Sequence, residues 1–158
     1  MAPAASAADV EAVRTLFREY AAWLGVDLCF QNFAAELASL PGGYAPPDGC
    51  LLLARADGAA AGCAALRRLD ARSAEMKRLY VRDAFRGAGL GARLAQEILA
   101  AARRVGYARV LLDTLPQMAA AQHLYRALGF RAIPPYYENP IPGATYLALD
   151  LDPAGGGG

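Results

Sequence analysis

The sequence contains little cysteine, and its cysteines suggest neither a metal site nor a set of disulfides. Three cysteines occur in 158 residues, at Cys29, Cys50 and Cys63. Their separations match no metal-ligand spacing, and an odd number argues against a closed set of disulfides. We therefore expect no metal site and a reduced, cytoplasmic protein.

The sequence also lacks a charge imbalance and a long apolar run. It has 16 lysine and arginine residues against 15 aspartate and glutamate residues, so bulk charge favours neither nucleic acid nor an anionic membrane as a partner. Residues 1–6 have neither the basic region nor the apolar run of a signal peptide, and no stretch is apolar for long enough to span a bilayer. The expected partners thus include neither nucleic acid nor a membrane.

The length limits the number of domains. A chain of 158 residues with 56% hydrophobic residues permits one well-formed core and is too short for two ordinary domains. We expect a single domain over residues 1–152, followed by a flexible glycine-rich tail at residues 153–158.

Helical and strand patterns alternate along the chain. Ser6 is placed to cap a helix whose apolar residues recur at helical spacing, and Asp57-Gly58 is a strong hairpin signal between two strands. The strand, helix and strand from residue 73 to residue 114 imply a right-handed crossover and parallel pairing. The predicted helices are residues 7–24, 33–40, 89–105 and 119–128, and the predicted strands are residues 50–56, 60–68, 73–81, 109–114, 130–133 and 145–151.

The run Arg86-Gly87-Ala88-Gly89-Leu90-Gly91 interrupts a buried-looking strand and leads into a helix. Glycine lets the backbone approach a ligand without a Cβ in the way, and the unpaired N–H groups at a helix start attract phosphate. A tight structural turn would use the same glycines. A P-loop is excluded because Ala92-Arg93 stands where Lys-Ser/Thr is needed, and a dinucleotide site is disfavoured because a helix and two strands come first.

The glycine run resembles the Arg/Gln-x-x-Gly-x-Gly/Ala pyrophosphate loop of the GNAT family of N-acetyltransferases. A second run, Leu124-Tyr125-Arg126-Ala127-Leu128-Gly129-Phe130, resembles the same family's tyrosine-bearing helix closed by Gly-Phe. The two runs lie in the family's order and near its spacing. Together with the strand pattern, the resemblance covers residues 8–150.

This resemblance implies an α/β (α+β) fold. The expected architecture is a mixed, mostly antiparallel central sheet flanked by about four helices, with a V-shaped splay between the fourth and fifth strands. The family carries a bulge on its fourth strand, so simple alternation is not expected from Arg78 to Val81. The family's first strand is expected to be short or absent, because only residues 1–5 precede the first helix and Pro3 is among them.

The resemblance also implies acetyl-coenzyme A (acetyl-CoA) as the cofactor. Arg86 would supply charge to its pyrophosphate, and a backbone N–H of the preceding strand would face the thioester carbonyl and stabilise the oxyanion. The residues expected to hold the pyrophosphate through backbone N–H groups are Gly87, Ala88, Gly89, Leu90, Gly91 and Ala92. The residues expected to pair with the pantetheine arm are Leu79, Tyr80 and Val81.

Tyr125 falls at the position that serves as general acid in many family members. A phenol with a pKa of about 10 is protonated at neutral pH and can give its proton to the departing thiolate. The alternatives are a tyrosine that only hydrogen-bonds the sulfur or one that packs beneath the helix. Many relatives carry an asparagine that contacts the cofactor arm, and Met118 stands at the matching position here.

Glu75 is the candidate general base, accepting the amine proton directly or through water. It could instead be a rim carboxylate that attracts a cationic substrate, or the partner of Arg78 in a surface salt bridge. His123, the only histidine, lies two residues from Tyr125 and therefore points to another helix face, so we interpret it as structural.

The acceptor is expected beside Phe30, Gln31, Tyr136 and Tyr137, although Phe30 could instead pack in the core. The predicted function is acetyl-CoA-dependent transfer of an acetyl group to a primary amine of a small molecule, by direct attack in a ternary complex. The alternatives are a non-catalytic acyl-CoA-binding domain and a peptide or protein N-acetyltransferase. The loop that carries Tyr136 and Tyr137 could also contact a second copy of the chain in a homodimer.

Overall fold

The computed structural model describes residues 1–25 and 32–151. Its strands are β1 (Ala2–Pro3), β2 (Cys50–Ala56), β3 (Ala59–Arg68), β4 (Ser73–Val81), β5 (Arg109–Thr114), β6 (Arg131–Ile133) and β7 (Thr145–Asp150). Its α-helices are α1 (Ala7–Leu24), α2 (Phe33–Ser39), α3 (Leu90–Val105) and α4 (Ala119–Ala127). The predicted Phe30 and Gln31, Cys29 and the tail at residues 153–158 lie outside the described residues.

The described strands form one sheet in the order β1-β2-β3-β4-β5-β7-β6. Every neighbouring pair is antiparallel except β4 and β5, which are parallel as the crossover through α3 requires. The predicted mixed, mostly antiparallel sheet with flanking helices is therefore confirmed. The first strand has only two residues, which pair with Leu52 and Leu53 of β2.

The splay between β4 and β5 is visible in their register. The two strands pair only where Ser73, Ala74 and Glu75 lie beside Arg109, Val110 and Leu111. Beyond Glu75, β4 continues to Val81 beside β3, while β5 continues beside β7. The edges that diverge leave a V-shaped opening, as predicted.

A bulge interrupts β4 where simple alternation was expected to fail. Cys63 of β3 lies opposite Tyr80 and Ala65 lies opposite Lys77, so two steps on β3 match three steps on β4. Arg78 sits in this bulge with a φ of 60°, in the left-handed region that a non-glycine residue rarely occupies. The bulge changes which side chains of β4 face the opening beyond it.

Arg78 is held by an acidic partner from α2. Its Nε and Nη2 donate to the two carboxylate oxygens of Glu36, at 3.0 and 2.9 Å, and its guanidinium lies over the rings of Tyr20 and Phe33. The alternative of a Glu75–Arg78 salt bridge is therefore wrong. The bulge directs Arg78 toward the helices, where it ties β4 to α1 and α2.

Apolar cores lie on both faces of the sheet. Leu94 and Ile98 of α3 are fully buried against one face. Leu16 and Phe17 of α1 are fully buried against the other. In the described residues no helix has the length and apolar character needed to cross a membrane.

Candidate active site

The glycine loop joins β4 to α3 and opens onto solvent. Gly87 and Gly89 have φ of 88° and 78°, a conformation that favours glycine. Among the described residues, apart from the two chain neighbours, no atom lies within 4 Å of the place where a Cβ would stand at either position. Gly89 is the N-cap residue of α3, and no side chain caps that helix end. The first N–H groups of α3 are thus available to an anionic ligand.

A groove of about 300 Å³ runs from this loop along β4 to α4. Its lining includes these residues predicted to bind the cofactor: Leu79, Tyr80, Val81, Arg86, Gly87, Gly89, Leu90 and Gly91. Ala88 and Ala92 stand beside them in the chain but do not line the groove. The structure therefore brings most of the predicted cofactor residues together on one wall.

Arg86 lies at the edge of the groove. Its Nε donates to the carbonyl oxygen of Val81 at 2.8 Å, and its Nη1 is 2.7 Å from a carboxylate oxygen of Asp83. The guanidinium carbon lies 5.1 Å from the ring centroid of Trp23 and 5.9 Å from that of Tyr80. These contacts hold the positive charge beside the glycine loop.

Trp23 lines the groove from the side of α1, and sequence reasoning missed it. The signal was available, because Trp23 lies off the apolar face of α1 that buries Leu16, Phe17, Tyr20 and Leu24. Core packing does not explain a large aromatic residue outside the buried face of an amphipathic helix, so such a residue indicates a binding surface.

A second cavity, of about 30 Å³, lies in the opening between β4 and β5; we call it the splay cavity. Lys77 from β4, Asp113 from β5 and Tyr125 from α4 are among its lining residues. Leu79 and Met118 line both the splay cavity and the groove. The two spaces therefore adjoin at these two side chains.

Tyr125 is placed by the end of its helix. Gly129, with a φ of 102°, reverses the chain after α4, and Phe130 then packs 5.7 Å from the Tyr125 ring. Tyr125 is buried, and that burial, reinforced by the charge of Asp113, raises its pKa above the ordinary value of a phenol. Its hydroxyl therefore stays protonated over the working range of an enzyme.

Met118 is the N-cap residue of α4 and is buried. Its sulfur accepts a hydrogen bond from the Thr114 hydroxyl at 3.7 Å. An apolar side chain thus stands at the junction of the groove and the splay cavity.

Glu75 is almost completely buried, with 1% of its surface exposed. Its Oε1 accepts a hydrogen bond from Arg67 Nε at 2.8 Å, and its Oε2 accepts one from the Tyr136 hydroxyl at 2.6 Å. Glu75 lines neither the groove nor the splay cavity. Both carboxylate oxygens are therefore engaged with protein groups outside these two spaces.

The loop at residues 134–144, which we call the strap loop, is bound to both diverging strands. Tyr136 reaches Glu75 on β4, whereas Tyr137 donates through its hydroxyl to Asp113 on β5. Asn139 Nδ2 also donates to Asp113, at 2.8 Å. The strap loop thus crosses the opening of the V, and both predicted tyrosines hold it there.

The described residues support neither a reactive cysteine nor a metal site. The Cys50 and Cys63 thiols are buried, and burial raises the pKa of each. Among residues 1–25 and 32–151, no cluster of three or more histidine, cysteine or acidic side chains is arranged to hold a metal ion. Neither cysteine lines the groove or the splay cavity.

Comparison with known proteins supplies the family. Residues 10–130 match the sequence profile described as the Acetyltransferase (GNAT) family. The chain belongs to the GNAT family. An N-acetyltransferase from Schizosaccharomyces pombe, described as uncharacterized, is 41% identical over 145 residues, which are 90% of this chain and 89% of that protein. The predicted family and the N-acetyltransferase class are confirmed.

Solved structures of GNAT acetyltransferases share the fold. One from Staphylococcus aureus superposes with a TM-score of 0.78 at 18% identity, covering 94% of this chain and 96% of that one. Another, from Salmonella typhimurium, was solved with its cofactor acetyl-CoA; its TM-score is 0.66 at 23% identity, and it covers 94% of this chain and 91% of its own. Acetyl-CoA is thus confirmed as a ligand of the fold.

Proposed function

We propose that this GNAT protein transfers an acetyl group from acetyl-CoA to a primary amine of a small molecule, by direct attack in a ternary complex. The observation that carries the proposal is the junction at Leu79 and Met118. There the groove beside the glycine loop meets the splay cavity that Tyr125 lines. A thioester at this junction would have the phosphate-binding loop behind it and an acceptor space in front.

The cofactor would lie along the groove with its pyrophosphate on the glycine loop. The N–H groups at the start of α3 would bind the phosphates, and Arg86 would add positive charge. β4 no longer pairs with β5 beyond Glu75, so its edge from Leu79 to Val81 could pair with the pantetheine amides. An N–H of this edge would then stabilise the oxyanion formed at the thioester carbonyl.

Direct transfer requires attack by the amine, cleavage of the thioester C–S bond and protonation of the departing thiolate. The neutral amine attacks the carbonyl carbon, and the C–S bond breaks as the tetrahedral intermediate collapses. Tyr125 gives its proton to the departing thiolate, and the proton that the amine nitrogen loses on forming the amide returns to Tyr125 through water. Burial raises the pKa of Tyr125, so its hydroxyl is protonated when the thiolate forms. Of the described cysteines, Cys50 and Cys63 are both buried away from the two spaces, which supports direct attack rather than an acyl-enzyme on either of them.

The shape of the acceptor space supports a small acceptor. The strap loop crosses the diverging strands beside the splay cavity and restricts the approach to it. An amine on a compact molecule reaches such a space more readily than an amine on a folded protein.

The experiment that tests the proposal is a thiol-release assay with acetyl-CoA and a panel of amines. The panel contains small primary amines, amino acids and short peptides with a free N-terminus. We expect amine-dependent release of CoA with at least one small amine. Tight binding of acetyl-CoA without turnover on any amine would favour the non-catalytic binding domain, and turnover on peptides alone would favour a peptide acetyltransferase.

The same assay separates two roles for Glu75. Its bonds to Arg67 and Tyr136 support a role as the anchor of the strap loop. If Glu75 is this anchor, Glu75→Gln and Tyr136→Phe each lose a hydrogen bond to a charged group, which is worth about 1.5–3 kcal/mol. We then expect each variant to raise KM for the amine roughly tenfold with little change in kcat. If Glu75 is instead the base, Glu75→Gln should lower kcat strongly and flatten the acidic limb of the pH profile, while Tyr136→Phe should not.

A further inference from the structure

Exposure of the large apolar side chain of Trp23 to water is energetically unfavourable. Trp23 is 43% exposed and lies outside the apolar face of α1, which is buried. The other large apolar side chains exposed in the described part of the chain are Met1, near the N-terminus, and Val105, at the end of α3. Trp23 differs from both in lining the groove.

The ring of Trp23 contacts the guanidinium of Arg86, which carries the positive charge beside the glycine loop. The Arg86 guanidinium lies 5.1 Å from the Trp23 ring centroid, and the same guanidinium donates to Val81 on β4. An arginine that stacks on an aromatic ring while bound to a carbonyl has little freedom to turn away. Trp23 thus stands opposite β4 at the point where the glycine loop begins.

We infer that Trp23 is a cofactor-contact residue that covers the pantetheine arm of CoA where the arm leaves the pyrophosphate, and that it holds Arg86 toward the phosphates. This inference rests on the proposed function. The groove runs without interruption from Gly87 and Gly89 to Leu79, so an arm that follows it passes Trp23. The exposed indole face would become buried against the methyl groups and amides of the arm.

The sequence provides a direct probe, because Trp23 is its only tryptophan. We would titrate the protein with CoA, and separately with 3′-phosphoadenosine 5′-diphosphate, which has the nucleotide and pyrophosphate without the pantetheine arm. We expect CoA to change the tryptophan emission at saturation, and the nucleotide half to change it much less. Equal changes from the two ligands would overturn contact with the arm.

Variants test the contact by a second readout, calorimetric binding of CoA. We expect Trp23→Ala to raise Kd roughly tenfold, which equals about 1.4 kcal/mol, and Trp23→Phe to recover most of the loss. Val105→Ala is the matched control, because Val105 is 41% exposed and does not line the groove, so its Kd should equal that of the parent. Melting temperatures establish that each variant is folded.

The outcomes distinguish this inference from the proposed function. If the parent binds CoA, its emission does not change and Trp23→Ala binds as tightly, the inference is wrong while the proposed function stands. If the folded parent binds no CoA at all, the proposed function fails and the inference fails with it.

Discussion

Replacing Tyr125 with phenylalanine should lower kcat by roughly 100- to 10,000-fold, the range typical of a lost general acid. The phenylalanine ring keeps the packing against Phe130 and removes only the hydroxyl from the splay cavity. KM for acetyl-CoA should change little, because the groove and the glycine loop remain intact. Steady-state kinetics with the best amine of the panel, together with CoA binding by calorimetry, would measure both effects.

Tyr107→Phe is the matched control for that experiment. Tyr107 is also buried, and its hydroxyl donates to the Asp48 carbonyl oxygen at 2.7 Å, outside the groove and the splay cavity. Losing this bond should cost about 1 kcal/mol of unfolding free energy and leave kcat unchanged. Equal kcat in the parent and Tyr125→Phe would exclude Tyr125 as proton donor.

Replacing Arg78 with methionine should produce the largest loss of stability. The change removes both hydrogen bonds to Glu36 and leaves that carboxylate, which is largely buried, without its cation. Breaking a buried ion pair costs about 3–5 kcal/mol. For a chain of this size we expect Tm to fall by roughly 10 °C, measured by calorimetry or circular dichroism.

A double-mutant cycle shows whether the ion pair itself is responsible. Arg78→Met and Glu36→Leu should each destabilise the protein, and the double variant should lose much less than the sum, because neither charge is then left alone. Arg68→Met is the surface control, since Arg68 and Asp48 form an exposed pair at 3.5 Å that should contribute at most about 1 kcal/mol. Additive losses in the double variant would contradict the assignment.

The features that depend on local sequence could be predicted. The glycine loop, the cap at Ser6 and the helix closed by Gly129 each rest on neighbouring residues, and the structure has them within a residue or two of the predicted positions. The splay could not be derived from periodicity, because it depends on where the pairing of β4 and β5 stops. It was predicted only through the family resemblance.

The surroundings of Glu75 lay beyond sequence reasoning. Its partner Tyr136 is 61 residues away, and only the folded strap loop brings the two together. Arg67 lies directly opposite Glu75 on β3, but finding it required the register of β3 with β4, which is set by the turn that joins the two strands. Glu75, the candidate base, is thus a buried residue that accepts hydrogen bonds from Arg67 and Tyr136.

Acetyl-CoA binding at the glycine loop is tested most directly by a thermal melt with and without acetyl-CoA. Gly89→Asn suits this test because asparagine tolerates the φ of 78° and caps helices well, while its side chain would occupy space the pyrophosphate needs. Gly58→Asn is the control, in a hairpin turn with a φ of 81° and open space at the Cβ position.

Acetyl-CoA at a hundredfold excess over its dissociation constant should stabilise the parent by about 2.7 kcal/mol, and should stabilise Gly58→Asn equally. The Tm of Gly89→Asn should rise little or not at all with the ligand, although the variant remains folded without it. A parent whose Tm does not respond to millimolar acetyl-CoA, or a Gly89→Asn variant that responds as fully as the parent, would contradict the account.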